Sequence, residues 1–359
     1  MNLQEHILKE DFASIILNLG LKNLSKLKKQ TVLITGANGF IGNYLVRFFL
    51  HLNEKLNYRI KLIAWVGPKY LPDSETIALF KKNKVKILKR DLIKKIKINS
   101  KIDYAFHLAS ITSPSFISNN PVQSLKINIL GTLNILEALK DKKIKKFLYF
   151  SSSAIYGTPD KKNIPIPETF NGNVSPIFSR SSYAEAKRAA ESISYAYFSQ
   201  YKIPINILRP FHIYGPTIDL KKDNALNYFL NCGLGSRNII LNSDGQETRS
   251  FCYIADAISI ALLAALTTKS GEVFNVGDEK SEIKIIDLAM LVLKIFNNKT
   301  KIIIKQKRKK GFLEEEFTRN VPDMKKVKKV LKFLPKVDLR KGLIRTVESY
   351  KKSRPFIEE

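Results

Sequence analysis

The stretch TVLITGANGFIG, residues 31–42, joins a short apolar run to the start of an amphipathic segment. Its glycines, Gly36, Gly39 and Gly42, have the spacing G-x-x-G-x-x-G. Glycine permits a tight turn and a close backbone approach, and a helix N-terminus offers N–H groups and a partial positive charge to a pyrophosphate. These residues therefore predict a strand, a dinucleotide-binding turn and a helix. The predicted contacts come from Gly36, Asn38, Gly39, Phe40, Ile41 and Gly42.

From Thr31 onward, apolar runs alternate with amphipathic segments. The predicted strands are 31–35, 60–66, 85–89, 103–108, 146–151 and 204–209, and the predicted helices lie near 40–52, 121–140 and 181–201. This alternation predicts an α/β fold with a doubly wound parallel sheet and right-handed crossovers. Residues 3–28 predict one or two short amphipathic helices before the first strand.

Two further segments follow predicted strands and should reach the same edge of the sheet, where ligands bind. Asp91 and Leu92 come after the strand 85–89, and we expect Asp91 to accept a hydrogen bond from an adenine amino group. Residues 108–110, which are Leu108, Ala109 and Ser110, follow the next strand, and their small side chains would let a ribose approach. His107 is predicted to be a packed residue at the end of that strand rather than a catalyst.

A serine-rich strand end and a Tyr–Lys pair form the second motif. Residues 149–157 read YFSSSAIYG, and Tyr183 and Lys187 lie four apart in a predicted helix, so they share one face. A free tyrosine has a pKa of about 10, and a neighbouring ammonium favours the phenolate. A serine hydroxyl nearby could bridge the phenol to a substrate hydroxyl. The pairing predicts proton transfer at an alcohol while another group accepts the hydride.

The composition excludes several other classes of protein. Hydrophobic residues make up 44% of the chain, yet no apolar run approaches the roughly 18–20 residues that span a membrane. The N-terminus lacks the pattern of a signal peptide, and only Cys232 and Cys252 are available, which argues against a disulfide framework. We therefore expect a cytoplasmic protein without a membrane partner.

The net charge of +29 arises from 61 Lys and Arg against 32 Asp and Glu. The basic runs are scattered, and no zinc spacing, basic zipper or aromatic RNA-binding signature accompanies them, so we expect solvated lysines and no nucleic-acid partner. The four histidines lack the spacing of metal ligands, so no metal site is predicted.

Taken together, the motifs resemble those of one known family. Besides the glycine turn, they are Ser152 with Tyr156-Gly157, Tyr183-x-x-x-Lys187, RPFHIYGP at 209–216 and TRSFCY at 248–253. Over roughly residues 30–350 the chain resembles an extended short-chain dehydrogenase/reductase of the nucleotide-sugar epimerase, dehydratase and decarboxylase group. The resemblance implies a Rossmann-type sheet with a smaller C-terminal α/β substrate lobe, NAD as cofactor, a nucleotide-diphosphate sugar as substrate, and a homodimer formed through the helices near 121–140 and 181–201.

The expected domains follow from this organisation. Residues 1–29 would be an N-terminal helical extension. Residues 30–210 would form the NAD-binding domain, to which 253–277 return. Residues 211–252 and 278–359 would form the nucleotide-sugar-binding lobe.

The resemblance also implies roles for individual residues. Tyr183 matches the catalytic base, and Lys187 matches the residue that binds the nicotinamide ribose and lowers the tyrosine pKa. The catalytic Ser/Thr of the family lies four residues before the tyrosine of Tyr-Gly, which selects Ser152. Arg249 matches an arginine that contacts the nucleotide diphosphate, as a bidentate guanidinium can.

Other positions carry less specific expectations. Ser153 is expected to line the substrate pocket. His212 stands where many relatives have an asparagine near the diphosphate, so it either contacts phosphate or only packs. Asn128 resembles a structural asparagine on the helix beneath the site.

Besides His212, two further departures from the family pattern matter. Dehydratases and UDP-glucuronate decarboxylases usually carry a glutamate two residues before the Tyr-Gly tyrosine, and this chain has Ala154 there. The change favours epimerisation, with C4 as the expected carbon; a UDP-glucuronate decarboxylase and then a 4,6-dehydratase remain alternatives. A catalytically silent NAD-binding or nucleic-acid-binding relative is the alternative from another class.

The second departure concerns the adenosine ribose. The segment Ala64-Trp65-Val66-Gly67-Pro68 offers no acid for its 2′-hydroxyl, and Lys69 is the nearest cation for a 2′-phosphate. NAD remains the expected cofactor, because enzymes of this group usually retain and recycle it.

Overall fold

The computed structural model describes residues 3–67, 74–177, 181–221, 223–297, 300–305 and 319–351. Pro68 and Lys69, which belong to the segment expected near the cofactor's adenosine ribose, lie outside these residues. Among the described helices, none has both the length and the apolar character needed to cross a membrane.

Within the described residues, the strands are β1 (Thr31–Thr35), β2 (Lys61–Val66), β3 (Lys86–Lys89), β4 (Tyr104–His107), β5 (Lys146–Phe150), β6 (Ile205–Pro210), β7 (His212–Tyr214), β8 (Ile239–Leu241), β9 (Thr248–Tyr253), β10 (Glu272–Val276), β11 (Glu282–Lys284), β12 (Ile302–Ile304) and β13 (Arg319–Asn320). The helices are α1 (Leu3–Leu19), α2 (Leu21–Leu24), α3 (Phe40–Leu56), α4 (Ser74–Lys82), α5 (Pro114–Asn119), α6 (Pro121–Leu139), α7 (Ser181–Tyr201), α8 (Ala225–Leu234), α9 (Ile254–Leu266), α10 (Ile285–Phe296), α11 (Lys325–Leu331) and α12 (Leu339–Tyr350).

The central sheet has seven parallel strands in the order β10-β6-β5-β4-β1-β2-β3. Strands β1, β4, β5 and β6 are almost entirely buried, as expected of a parallel sheet covered by helices on both faces. The predicted doubly wound α/β fold is therefore confirmed. The strand order reverses between β1 and β4, and a ligand crevice forms at such a switch point.

Smaller sheets follow the central one along the chain. Strand β9 pairs with β7, β11 and β13, and β12 pairs with β8. The chain then returns to the central sheet, because α9 packs on β5, β6 and β10. Helix α11 also packs against α9 and β10, so part of the C-terminal region covers the central sheet as well. The division into an extension and two lobes stays a prediction.

The N-terminal segment is one helix of 17 residues, α1, followed by the short α2, rather than only short helices. A buried carboxylate, Asp11, ties α1 to three other elements. Its Oδ2 accepts hydrogen bonds from the hydroxyls of Tyr44 (3.0 Å) and Tyr253 (2.8 Å), and its Oδ1 lies 2.7 Å from Nη2 of Arg345. Nη1 of Arg345 also donates to Glu10 at 2.7 Å. We call these five residues the terminal cluster.

Candidate active site

The turn between β1 and α3 has a backbone that glycine alone supports without strain. Gly36 has φ of +70°, and a Cβ there would lie 2.9 Å from the Cα and N of Ala109. A Cβ on Gly42 would overlap the carbonyl oxygen of Gly36. Helix α3 begins at Phe40, and its first N–H groups have no acceptor within the helix. The turn therefore forms a cradle that fits the pyrophosphate of a dinucleotide.

The segment after β4 packs directly against this cradle. The N–H of Leu108 donates to the Thr35 carbonyl (3.2 Å), and the N–H of Ala109 donates to the Thr35 hydroxyl (3.3 Å). After β3, Leu92 is buried, whereas Oδ1 of Asp91 accepts a hydrogen bond from the N–H of Ile93 (3.1 Å) in a local turn. That bond occupies one carboxylate oxygen of Asp91.

His107 is a packed residue, as predicted. Its ring is buried between Thr35 and Thr132, with Nδ1 2.7 Å and Nε2 3.2 Å from their hydroxyl oxygens. Burial, together with the nearby positive charge of Lys187, lowers the pKa of His107 to about 3. The imidazole is therefore neutral at any working pH.

Tyr183 lies where β4, β5 and α7 meet. Its hydroxyl is hydrogen-bonded to the side chains of Ser152 and Ser110. Ser152 caps a 3-10 turn over Ser153–Tyr156, where its Oγ accepts from the N–H of Ala154 (3.2 Å). Ser110 donates to Oδ1 of the buried Asn128 (2.8 Å), which places that asparagine beneath the site. The structure thus brings Ser152 and Tyr183 together and adds Ser110.

Lys187 lies one turn further along α7 and is 2% exposed. Its Nζ donates a hydrogen bond to the Phe150 carbonyl at 2.6 Å. The same Nζ lies 5.0 Å from the ring centroid of Tyr149 and 5.9 Å from that of Tyr183. Burial lowers the pKa of Lys187 to about 7, and the nearby Glu191 carboxylate partly offsets this effect. The ammonium therefore titrates within the physiological range.

The predicted lowering of the Tyr183 pKa by Lys187 is not what the structure shows. Burial raises the pKa of Tyr183 above its ordinary value, and the hydrogen bonds with Ser152 and Ser110 only reduce that rise. Nζ of Lys187 is held at the Phe150 carbonyl instead of the phenol oxygen. The four-residue spacing predicts that Tyr183 and Lys187 share one helix face. The burial of that face, which raises the Tyr183 pKa, depends on the packing of other elements.

The predicted substrate residues lie on the smaller sheet and beside the serine strand. His212 on β7 is in register with Phe251 on β9, and their ring centroids are 5.5 Å apart. Nε2 of His212 is buried and has no hydrogen-bond partner among the described residues. Burial, with the charge of Arg249 nearby, lowers the pKa of His212 to about 3. Nη1 of Arg249 donates a hydrogen bond to the Thr248 carbonyl (2.8 Å). Ser153 is buried in the 3-10 turn that follows β5.

A buried ion pair behind Lys187 was missed by the sequence reasoning. Nε and Nη2 of Arg209 donate to the two carboxylate oxygens of Glu191 at 3.0 and 2.7 Å. Nη1 of Arg209 donates to the Tyr156 hydroxyl (3.1 Å), and that hydroxyl donates to Oδ1 of Asn275 (2.6 Å). We call Glu191, Arg209, Tyr156 and Asn275 the site cluster. The available signal was the position of Glu191, four residues after Lys187 on the same helix face.

Comparisons with known proteins agree with this arrangement. The NAD dependent epimerase/dehydratase family model matches residues 32–277. UDP-glucuronic acid decarboxylase 3 of Arabidopsis thaliana is 32% identical over 323 residues, which cover 87% of this chain and 86% of that protein.

Two solved structures extend the comparison. The UDP-glucose 4-epimerase of Thermotoga maritima has a TM-score of 0.77 at 25% identity and covers 89% of this chain and 98% of its own. The UDP-glucuronic acid 4-epimerase of Bacillus cereus, solved with UDP-glucuronic acid and NAD, has a TM-score of 0.72 at 26% identity and the same coverage. With the cradle between β1 and α3, and with a family match over most of its length, the chain belongs to the NAD-dependent epimerase/dehydratase family and its cofactor is NAD.

Proposed function

We propose that the protein is an NAD-dependent epimerase that inverts C4 of a nucleotide-diphosphate sugar through a transient keto-sugar. The observation that carries this proposal is Ala154, which stands beside Ser152 where eliminating and decarboxylating relatives carry a carboxylate. Epimerisation at C4 needs a proton transfer at one hydroxyl and a hydride acceptor, but no further acid beside the ketone. Ser152, Tyr183 and Lys187 would supply that proton transfer.

Tyr183 is the proposed base for the 4-hydroxyl, reached directly or through Ser152. The hydrogen bond between Ser152 and Tyr183 supports this relay. Protonated Lys187 would hold the nicotinamide ribose, and the hydrogen bond with Ser152 would favour the phenolate once it forms. NAD, when bound, supplies the hydride chemistry. The protein's own contribution is therefore to orient the sugar and to move one proton.

The proposed cofactor contacts are the glycine turn, Asp91, Leu92 and residues 108–110, together with Tyr183 and Lys187. On the substrate side, we assign the diphosphate to Arg249, because a guanidinium can bind two phosphate oxygens at once. His212 would add a neutral imidazole nitrogen, and its buried Nε2 supports such a contact. Ser153 would line the pocket beside Ser152.

A UDP-glucuronic acid decarboxylase is the second candidate, because the Arabidopsis relative at 32% identity carries that name. Such an activity would need another acid in place of residue 154. The two carboxylates on α7 nearest to Tyr183 and Lys187 are already paired, Glu185 with Arg188 (3.6 Å) and Glu191 with Arg209 (2.7 Å). Their pairing favours the epimerase over the decarboxylase.

Product analysis distinguishes the candidates. The enzyme would be incubated with NAD and a panel of nucleotide sugars that includes UDP-glucose, UDP-N-acetylglucosamine and UDP-glucuronic acid, followed by mass spectrometry and NMR. An unchanged mass with inversion at C4 is the expected result. Loss of carbon dioxide would identify a decarboxylase and loss of water a dehydratase. Steeply salt-dependent nucleic-acid binding without turnover would support the alternative from another class.

We also propose a homodimer through α6 and α7 and a cytoplasmic location. Several apolar side chains of these helices are exposed in the single chain, including Val122, Leu130 and Leu133 on α6 and Tyr195 and Tyr201 on α7. Light scattering at micromolar concentration would measure the mass. A monomer would contradict the dimer.

A further inference from the structure

We infer that the Glu191–Arg209 ion pair sets the protonation equilibrium of Lys187 and thereby the pH range in which the site can work. The inference rests on the proposed role of Lys187. Glu191 and Arg209 act through Lys187, so they are positioning residues and not catalytic ones.

The first support is the geometry of α7. Tyr183, Lys187 and Glu191 follow one another at intervals of four residues, so they occupy successive turns of one helix face. Both partners of the ion pair are enclosed, since each side chain is 11% exposed. Charges in such surroundings are poorly screened and act on neighbours a helical turn away.

The second support is the lack of competing charge around Lys187. The titratable groups that face it among the described residues are His107, Tyr149, Tyr183 and Glu191. His107 is neutral because burial lowers its pKa to about 3. Burial raises the pKa of Tyr149 and of Tyr183, so both phenols remain protonated near neutrality. Within the described surroundings, Glu191 therefore supplies the charge that acts directly on Lys187, and Arg209 acts on that lysine through its pairing with Glu191.

The third support is that Arg209 is fixed independently of Glu191. Its Nη1 also donates to the Tyr156 hydroxyl and to the Glu168 carbonyl (2.8 Å), and its guanidinium carbon lies 5.0 Å from the Tyr156 ring centroid. Removal of the Glu191 charge would leave a fixed cation behind Lys187. Removal of the Arg209 charge would leave an unpaired anion there. The two changes should shift the Lys187 equilibrium in opposite directions.

The test is an NMR titration of lysine labelled at 13Cε in the NAD-bound enzyme, with the Lys187 signal identified by its loss in Lys187→Met. Glu191→Gln should lower the titration midpoint by about 1 pH unit, and Arg209→Met should raise it by a similar amount. The double variant should return close to the wild-type midpoint. Arg209→Lys keeps the charge and should leave the midpoint within about 0.3 unit, which separates charge from shape.

Glu185→Gln is the matched control on the same helix, because Glu185 pairs with Arg188 and is 35% exposed. It should leave the midpoint unchanged. If Glu191→Gln and Arg209→Met fail to shift the midpoint, or shift it in the same direction, the inference is overturned. Should Arg209→Met not fold, Glu191→Gln and Arg209→Lys decide the question alone.

The titration needs no substrate, so it is independent of the proposed reaction. Opposite shifts without turnover of any nucleotide sugar would support the ion pair and count against the epimerase. Turnover of a nucleotide sugar without any shift of the Lys187 titration midpoint would support the epimerase and count against the role of the ion pair. With a turned-over sugar, the alkaline limb of the kcat profile should move with the NMR midpoint, a result that a purely structural role would not produce.

Discussion

Two buried arginine–carboxylate arrangements in this molecule have similar chemistry but different surroundings. In the site cluster, Glu191 and Arg209 stand behind Lys187, whose pKa burial lowers to about 7. In the terminal cluster, Asp11 and Arg345 are joined to Tyr44 and Tyr253, whose pKa values burial raises well above the ordinary value. The Glu191–Arg209 pair therefore lies beside Lys187, which changes its charge near neutrality. The Asp11–Arg345 pair lies beside two tyrosines that stay neutral there.

This difference predicts a separation of roles. The site cluster should affect both the pH dependence of the reaction and the stability of the fold. The terminal cluster should affect only stability, because it links α1, α3, β9 and α12 through residues that are not among the proposed catalytic, cofactor or substrate contacts.

The largest effect is expected at the reacting end of α7. Tyr183→Phe removes the hydroxyl that hydrogen-bonds to Ser152 and Ser110, and kcat should fall about a thousandfold. NAD binding should remain, because the phenyl ring keeps its place. Steady-state kinetics and NAD fluorescence titration would measure the two quantities. Retention of full activity would remove Tyr183 from the mechanism.

In the terminal cluster, Asp11→Asn should lower the free energy of unfolding by about 3 kcal/mol. The change leaves the Arg345 guanidinium without its buried anion, while the reacting groups are untouched. Urea denaturation followed by circular dichroism would measure the loss. Glu10→Gln, which removes a carboxylate that is 48% exposed, is the matched control and should cost about 0.5 kcal/mol or less.

A shift of the kcat–pH profile in Asp11→Asn would contradict the proposed separation between the two clusters. Such a shift would mean that the terminal cluster communicates with Lys187 despite its different surroundings.

Lys187 should also make the free energy of unfolding depend on pH. Its folded pKa of about 7 lies below the ordinary value of 10.5, so between these pH values the unfolded chain binds the proton that the folded protein lacks. The cost of a buried ammonium is fully present below about pH 7 and disappears as the pH rises. Between about pH 7 and pH 10, the wild type should therefore gain stability relative to Lys187→Met by up to about 1.4 kcal/mol per pH unit.

Urea denaturation of both proteins at several pH values between 7 and 10 would measure this gain. A stability difference that does not vary with pH would show that Lys187 titrates normally in the folded protein.

The smallest effect is expected at His212. Because burial and the neighbouring Arg249 lower its pKa to about 3, this imidazole does not titrate between pH 5 and 8. His212→Asn should leave the shape of the pH profile unchanged and alter kcat/KM by no more than about threefold. An ionisation near pH 6 that disappears in the variant would contradict this account.

The sequence predicted the parts of the molecule that depend on local spacing. The glycine turn and the pair Tyr183 and Lys187 are each contained in one short segment, the first between strand β1 and helix α3 and the second within helix α7. Ser152 was also identified correctly as a neighbour of Tyr183, although only the family resemblance selected it from three serines.

The sequence could not predict properties that depend on distant segments or on burial. Asp11 meets Arg345 across 334 positions of the chain, and no local pattern marks either residue. Glu191 could be placed on the Tyr183 face of α7, but its partner Arg209 lies on β6. The direction of the Tyr183 pKa shift depends on desolvation, which is known only when every covering element is placed.

The central claim is that a site with alanine at position 154 inverts a sugar carbon without losing any atoms. The most direct measurement is real-time NMR of the nucleotide sugar that the enzyme turns over fastest, in the presence of NAD. We expect conversion to the C4 epimer with every carbon retained, and the same equilibrium mixture when the reaction starts from that epimer. Release of carbon dioxide with formation of a nucleotide-diphosphate pentose would contradict the proposed C4 epimerisation.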